Sequence, residues 1–120
     1  MQVEVDVKLT KSGNRTEGIV RALVENKRKR QVGILEFSMS PLLGEVRLNS
    51  ITVARHYRRT GVGRKMYEAA EKVWREHGMK FVTATPVTEE GLHFLESMGF
   101  EVRPTLLPSK IGGLAIKRLS

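Results

Sequence analysis

The densest chemistry in this chain lies in Arg58-Arg59-Thr60-Gly61-Val62-Gly63, where two arginines precede a Gly-x-Gly and periodic apolar residues begin at once. The first N–H groups of a helix have no intrahelical acceptor and carry the positive end of the helix dipole. Glycines let a phosphate come close to the backbone, and flanking arginines add charge-assisted bonds. The combination predicts a pyrophosphate cradle at a helix start. Two commoner phosphate loops do not fit. The Walker pattern needs Lys and then Ser or Thr after its last glycine, and here Gly63 is followed by Arg64 and Lys65. The dinucleotide pattern needs a third glycine where Met66 stands.

The elements around this turn must present it. Val62, Met66, Ala70, Val73 and Trp74 recur at helical spacing, with Ala69 widening the stripe, so a helix is expected over Gly61 to His77 with Gly78 at its left-handed cap. The strand before it, Glu45 to Val53, breaks parity: Val46 and Leu48 fall on one face and Ile51 and Val53 on the other. One extra residue near Asn49 and Ser50 restores the register, which is the mark of a β-bulge; burial of both faces of a central strand is the alternative. Phe81 to Ala84 reads as a short buried strand, Thr88 as the N-cap of a second helix with Leu92, Leu95 and Met98 on its apolar face, and Phe100 to Arg103 and Leu114 to Leu119 as closing strands. At the other end, Val3, Val5, Val7 and Leu9 alternate with polar residues as a half-buried strand. Lys11 to Gly18 reads as a loop; Ile19 to Glu25 fits a short helix with Ile19, Val20, Leu23 and Val24 on one face, but a hairpin with Val32 to Met39 around a polar turn at Asn26 to Arg30 is preferred. Strands first, then helix, strand, helix and strands define an α/β fold (an α+β mixed sheet) of one domain over 1–120.

Composition sets outer bounds. Apolar residues make up 40% and charged residues 28% of the 120 positions, a globular balance. With no cysteine, disulfides, cysteine-ligated zinc and a cysteine nucleophile are excluded. No apolar run approaches the ~20 residues of a membrane span, and the opening valine/charge alternation is unlike a signal peptide, so a cytoplasmic protein is expected. The formal charge of +8, concentrated in Lys27 to Arg30, Arg55 to Arg59 and Arg64-Lys65, favours polyanions as partners: anionic ligands, acidic proteins or nucleic acid.

Val53-Ala54-Arg55-His56-Tyr57-Arg58-Arg59-Thr60-Gly61-Val62-Gly63-Arg64-Lys65-Met66 resembles the acyl-CoA signature of the GNAT acetyltransferase superfamily: a strand ending in valine, a short basic turn, then Arg/Gln-x-x-Gly-x-Gly/Ala opening a long helix. Gly91 to Phe100 is similar to the family's later helix, which ends in Gly-Phe, and Glu25 to Phe37 to its earlier hairpin; the likeness covers roughly Leu23 to Val102. The resemblance implies a central, mostly antiparallel sheet with a bulged strand and two main helices. It implies acetyl-CoA as cosubstrate, with backbone groups of Ile51, Thr52 and Val53 holding the pantetheine arm. Arg58, Arg59, Gly61, Val62, Gly63 and Arg64 would hold the pyrophosphate, with Lys65 a further candidate beside the ribose phosphate.

Departures from the family bear on catalysis. Leu95 stands where many members have a tyrosine acid, Thr88 where an asparagine often opens the later helix, and Arg47 and Thr83 at the positions of the usual glutamate base. Glu45 is the remaining candidate base, acting through a water; a structural pair with a cation is its alternative role. Asn49, at the bulge, is the candidate donor to the acyl carbonyl, or a residue that merely tolerates bulge dihedrals. His93 falls off the apolar stripe and is expected at the surface, and His56 lies in the basic turn. The two helices that usually follow the family's first strand are missing, which leaves an open acceptor site suited to a protein or another large amine-bearing molecule.

Three function classes remain. The leading one is an acetyl-CoA-dependent N-acetyltransferase that acts by direct transfer to a primary amine. The second is a CoA-binding module with little or no catalysis, serving as sensor or interaction partner. The third is a basic nucleic-acid-binding domain, against which the seven aromatic rings outside histidine (one Trp, two Tyr, four Phe) count. A sheet edge near the C-terminal strands offers a route to a homodimer.

Overall fold

The computed structural model describes residues 2–25, 28–103 and 113–120. Met1, Asn26, Lys27 and residues 104–112, on which part of the expected turn at Asn26 to Arg30 falls, lie outside them. The chain runs β1 (Val3–Ser12), β2 (Arg15–Glu25), β3 (Lys29–Ser40), β4 (Glu45–Val53), α1 (Val62–Glu76), β5 (Phe81–Ala84), α2 (Glu89–Ser97), β6 (Glu101–Arg103) and β7 (Leu114–Arg118), with one turn of 3-10 helix at Arg55–Tyr57. The seven strands form one sheet in the order β1-β2-β3-β4-β5-β7-β6. Every pairing is antiparallel except β4 with β5, which α1 connects as a crossover.

The loop expected at Lys11 to Gly18 is instead strand. β1 and β2 stay paired through Lys11↔Thr16 and Ser12↔Arg15, leaving only Gly13 and Asn14 to turn, with Gly13 at φ 62°. Side-chain polarity misled there: a solvated hairpin tip has no face to bury, so backbone pairing and a two-residue turn decide its structure. No helix lies between β1 and β4 among the described residues.

The parity break in β4 is a bulge. Its register to β3 passes from Ser50↔Glu36 to Leu48↔Phe37, so Asn49 is the extra residue. Val46 and Leu48 before the bulge are buried, and Ile51 and Val53 after it are half-buried against the same core. α1 lies on this face, where Met66, Ala70 and Trp74 are fully buried. Trp74 meets Phe37 and Tyr67 edge-on, with ring centroids 5.3 and 5.5 Å away. Tyr67, absent from the expected stripe, is also buried and touches Phe94 of α2 and Phe100 in T-shaped contacts. The two helices therefore pack against each other over one face of the sheet. Thr88 caps α2 as expected, its Oγ1 accepting from the Gly91 N–H at 3.0 Å. No helix among the described residues is long and apolar enough to cross a membrane.

Candidate functional site

β4 and β5 begin side by side and then part. Their pairing runs from Glu45↔Phe81 to Leu48↔Ala84, after which β5 stops and β4 continues through five more residues, Asn49 to Val53. The result is a slot, closed at Leu48 and open toward the start of α1, with the bulge residue at its apex. A strand residue directs its N–H and C=O to one side, and its neighbour to the other. The Thr52 carbonyl lies against β3, 3.3 Å from where a Cβ on Gly33 would stand, and the Ala54 N–H bonds the Val32 carbonyl at 2.7 Å. Alternation then turns the backbone groups of Ile51 and Val53 toward the slot. Of the three strand residues expected to offer backbone bonds, Thr52 is the one that faces away.

At the open end of the slot the basic turn folds back on β4, where the Arg58 Nε donates to the Val53 carbonyl at 3.3 Å. The Thr60 hydroxyl donates to the Tyr57 carbonyl, and Arg59 at φ 62° and Gly61 at φ 89° are left-handed. A left-handed side-chain residue costs roughly 1–2 kcal/mol, so this turn holds some strain. Lys65 bonding back to the Gly61 carbonyl at 3.0 Å marks the first helical turn. The N–H groups of Gly61, Val62, Gly63 and Arg64 precede that bond and have no acceptor within the helix. The N-cap offers no side chain to satisfy them, and no acidic residue lies in the first turn. An added Cβ on Gly61 would meet nothing within 4 Å, so this helix end opens to solvent. Gly63 is tighter: a Cβ there would come 3.3 Å from the Phe94 ring and 3.7 Å from Val53 Cγ2. The helix start, the end of β4 and α2 therefore converge at Gly63. Arg58, Arg59 and Arg64 are exposed and make no ion pair among the described residues. Lys65 is drawn to the other side, where its ammonium donates to the Val3 carbonyl of β1.

The two candidate catalytic residues stand apart. Asn49 is exposed at the apex, its Nδ2 donating to Ser38 Oγ at 2.9 Å, and Ser38 Oγ donates in turn to Glu17 Oε2 at 2.8 Å. Glu45 sits four residues earlier, about 13 Å along the strand by β rise, where the strands are still paired. Its Oε2 accepts from the Thr83 hydroxyl at 3.1 Å. Leu95 is in the core, and His93 is exposed as its position off the stripe implied. Glu17 and Ser38 carried no signal of their own in the sequence. Both precede the bulge by at least ten residues, and only the strand register brings them to it. No cluster of potential metal ligands occurs among the described residues.

A seven-stranded sheet with one parallel pair that splays at a bulge, beside an uncapped helix start, defines the acyl-CoA N-acyltransferase fold. The model of the acetyltransferase (GNAT) domain matches residues 18–102, and the chain belongs to this family. Its fold is similar to that of the PaiA N-acetyltransferase from Thermoplasma acidophilum, solved in complex with coenzyme A (TM-score 0.71, 17% identity, covering 83% of this chain and 59% of that one). A GNAT-family acetyltransferase from Staphylococcus aureus Mu50 matches at TM-score 0.72 with 13% identity, over 87% of this chain and 69% of that one. Nourseothricin acetyltransferase matches at TM-score 0.68 with 19% identity, over 90% and 67%. This chain thus spans only about three-fifths to two-thirds of the length of these structures. No curated protein matches it.

Proposed function

We propose that this chain is an acetyl-CoA-dependent N-acetyltransferase that transfers the acetyl group directly to a primary amine. One observation carries the reading: β4 outruns β5 by five residues, and the slot so formed leads to a helix start whose N–H groups are uncapped and flanked by Arg58, Arg59 and Arg64. The residues present fit the donor. Four N–H groups and the guanidinium groups suit a pyrophosphate, with Gly61, Val62 and Gly63 supplying close backbone approach. Ile51 and Val53 can pair with the amides of the pantetheine arm along the slot. A thioester held this way ends at the apex, beside Asn49. The Thermoplasma acidophilum neighbour, solved with coenzyme A, supports the choice of donor.

The acceptor side follows from the layering. α1 and α2 cover one face of the sheet, and no helix among the described residues covers the other. An amine therefore reaches the apex from the open face, which suits a large or protein-borne acceptor. In the transfer the amine nitrogen bonds to the acyl carbon, the carbon–sulfur bond breaks, and the electron pair and one proton end on the CoA sulfur. No cysteine is available for a covalent enzyme intermediate. Orientation of the two reactants can supply much of the rate. Glu45, tied to Thr83 at the closed end, serves only through a run of waters, so the weight of the chemistry falls on Asn49 and the backbone around it.

A second reading, a CoA-binding module with little catalysis, is favoured by one observation: Leu95 is buried where the family often has a tyrosine acid. Thermal unfolding with and without acetyl-CoA tests both. At a concentration 100 times its dissociation constant the ligand should add about 2.7 kcal/mol of stability. This gain should vanish in a folded Gly61→Glu, Gly63→Glu variant. No gain in the wild-type protein overturns both readings and brings polyanion partners forward. A gain without acetyl transfer to any amine selects the second.

A further inference from the structure

Asn49 can serve an acceptor in two opposite ways. Its amide nitrogen donates and its amide oxygen accepts, and the group that β3 holds decides which is turned outward. The choice is made on β2. A carboxylate is an acceptor only, and a serine hydroxyl has a single hydrogen. Glu17 Oε2, 2.8 Å from Ser38 Oγ, takes that hydrogen. Ser38 Oγ is left with lone pairs alone to offer Asn49, 2.9 Å away. Asn49 must therefore present Nδ2 to Ser38, so that Oδ1 lies on the side of the amide turned from that hydroxyl. This assignment follows from donor and acceptor arithmetic across three strands. Ser38 and Glu17 are half-buried, while Asn49 is exposed.

We propose that Glu17 and Ser38 are positioning residues for the acceptor: through them Asn49 turns its amide oxygen to the apex, where it receives an N–H of the attacking amine. This rests on the acetyltransferase reading and reverses the role expected for Asn49 from sequence. An amide oxygen aligns a nitrogen nucleophile through one of its hydrogens and leaves its lone pair free for the acyl carbon. An amide nitrogen in that place would instead compete for the lone pair. Glu17 touches neither substrate; it acts by fixing the hydrogen of Ser38.

The test uses hydroxylamine, a small nitrogen nucleophile that is uncharged at neutral pH, with saturating acetyl-CoA and acetohydroxamate as product. Glu17→Ala frees the Ser38 hydrogen and lets the Asn49 amide invert; Ser38→Ala removes the latch. Either variant is expected to raise KM for hydroxylamine about tenfold, the worth of one net hydrogen bond. The acetyl-CoA dissociation constant, read from thermal shift, should not move, and Ser38→Thr, which keeps the hydroxyl, should restore the wild-type KM. Unchanged KM in both variants overturns the inference. So does a KM that rises together with the acetyl-CoA constant, a Ser38→Thr protein that behaves like Ser38→Ala, or a wild-type protein that binds acetyl-CoA but forms no acetohydroxamate. Absence of any acetyl-CoA stabilisation is a different failure, that of the proposed function itself.

Discussion

The two ends of α1 treat their polar groups in opposite ways. Toward its C-terminus the Glu71 carboxylate is answered by a hydroxyl and two cations. The Glu71 carboxylate accepts from the Tyr67 hydroxyl at 2.8 Å, from Lys117 of β7 at 2.6 Å and from Arg75 at 3.3 Å. Arg75 also reaches the Leu119 carbonyl, and the Lys117 ammonium lies 5.3 Å from the centre of the Tyr67 ring. Burial alone would raise the Glu71 carboxyl. The hydrogen bonds from Lys117 and Tyr67, with the charges of Lys117 and Arg75, outweigh it and hold the group below its usual range. Burial, and then the bond to and charge of Glu71, push the Tyr67 phenol far up. At its N-terminus the same helix has no side-chain cap, no acidic residue in its first turn and exposed arginines around it. With glycine at the N-cap, the missing side-chain cap forgoes roughly a few tenths of a kcal/mol. The end packed against the core anchors the helix, while the donors at its other end stay uncapped.

The largest effect should come from the packed end. Trp74 is fully buried between Phe37 and Tyr67, and Trp74→Ala should cost about 3–5 kcal/mol, measured by denaturant unfolding. A loss under about 1 kcal/mol would remove the claim that this end anchors the helix. Glu71→Gln comes next, at about 2 kcal/mol, because it strands the Lys117 ammonium, whose side chain is only 20% exposed. Its pH dependence has a definite sign. A carboxyl whose folded pKa is depressed contributes stability above its unfolded pKa, roughly 4.3 for glutamate, and loses it as pH falls through the folded value. The gap between wild type and Glu71→Gln should therefore be level at neutral pH and narrow in acid. A gap that widens in acid would mean that Glu71 is not held in its charged form.

The same contrast governs what could be read in advance. The open end was legible because its signals are local: Gly-x-Gly beside arginines, a parity break in one strand, a threonine before two glutamates. The parity break between Leu48 and Ile51 pointed to a bulge near Asn49 and Ser50, and the register to β3 puts it on Asn49. The Glu71 cluster was hidden, since Glu71 and Lys117 are 46 residues apart and only the β5–β7 pairing brings them together. Tyr67 was absent from the stripe read in the sequence, and its contacts with Phe94 and Phe100 come from distant parts of the chain. Glu45 shows the limit of parity. Its face was right, but its height was not readable, because the point where β4 leaves β5 depends on Leu48 meeting Ala84. Glu17 and Ser38 gave no signal, because only the register of β2, β3 and β4 joins them to Asn49, and at the hairpin tip, Lys11 to Gly18, polarity was taken for irregularity.

The smallest change in stability should come from the open end, and there it is most informative. Arg64 is exposed in the first turn of α1 and pairs with no carboxylate among the described residues. Arg64→Ala should therefore leave unfolding stability within about 0.5 kcal/mol of wild type. Removing a cation from the positive end of the dipole can even raise it slightly. Affinity for acetyl-CoA should fall roughly tenfold or more, since a charge-assisted bond to phosphate is worth about 1.5–3 kcal/mol. The loss should shrink as salt is added and screening shortens the reach of an exposed charge. Calorimetric titration at two ionic strengths would measure both quantities. A variant that loses stability but keeps its affinity would reverse the comparison: the basic end of α1 would then be part of the scaffold, and the donor's phosphates would have to be held elsewhere.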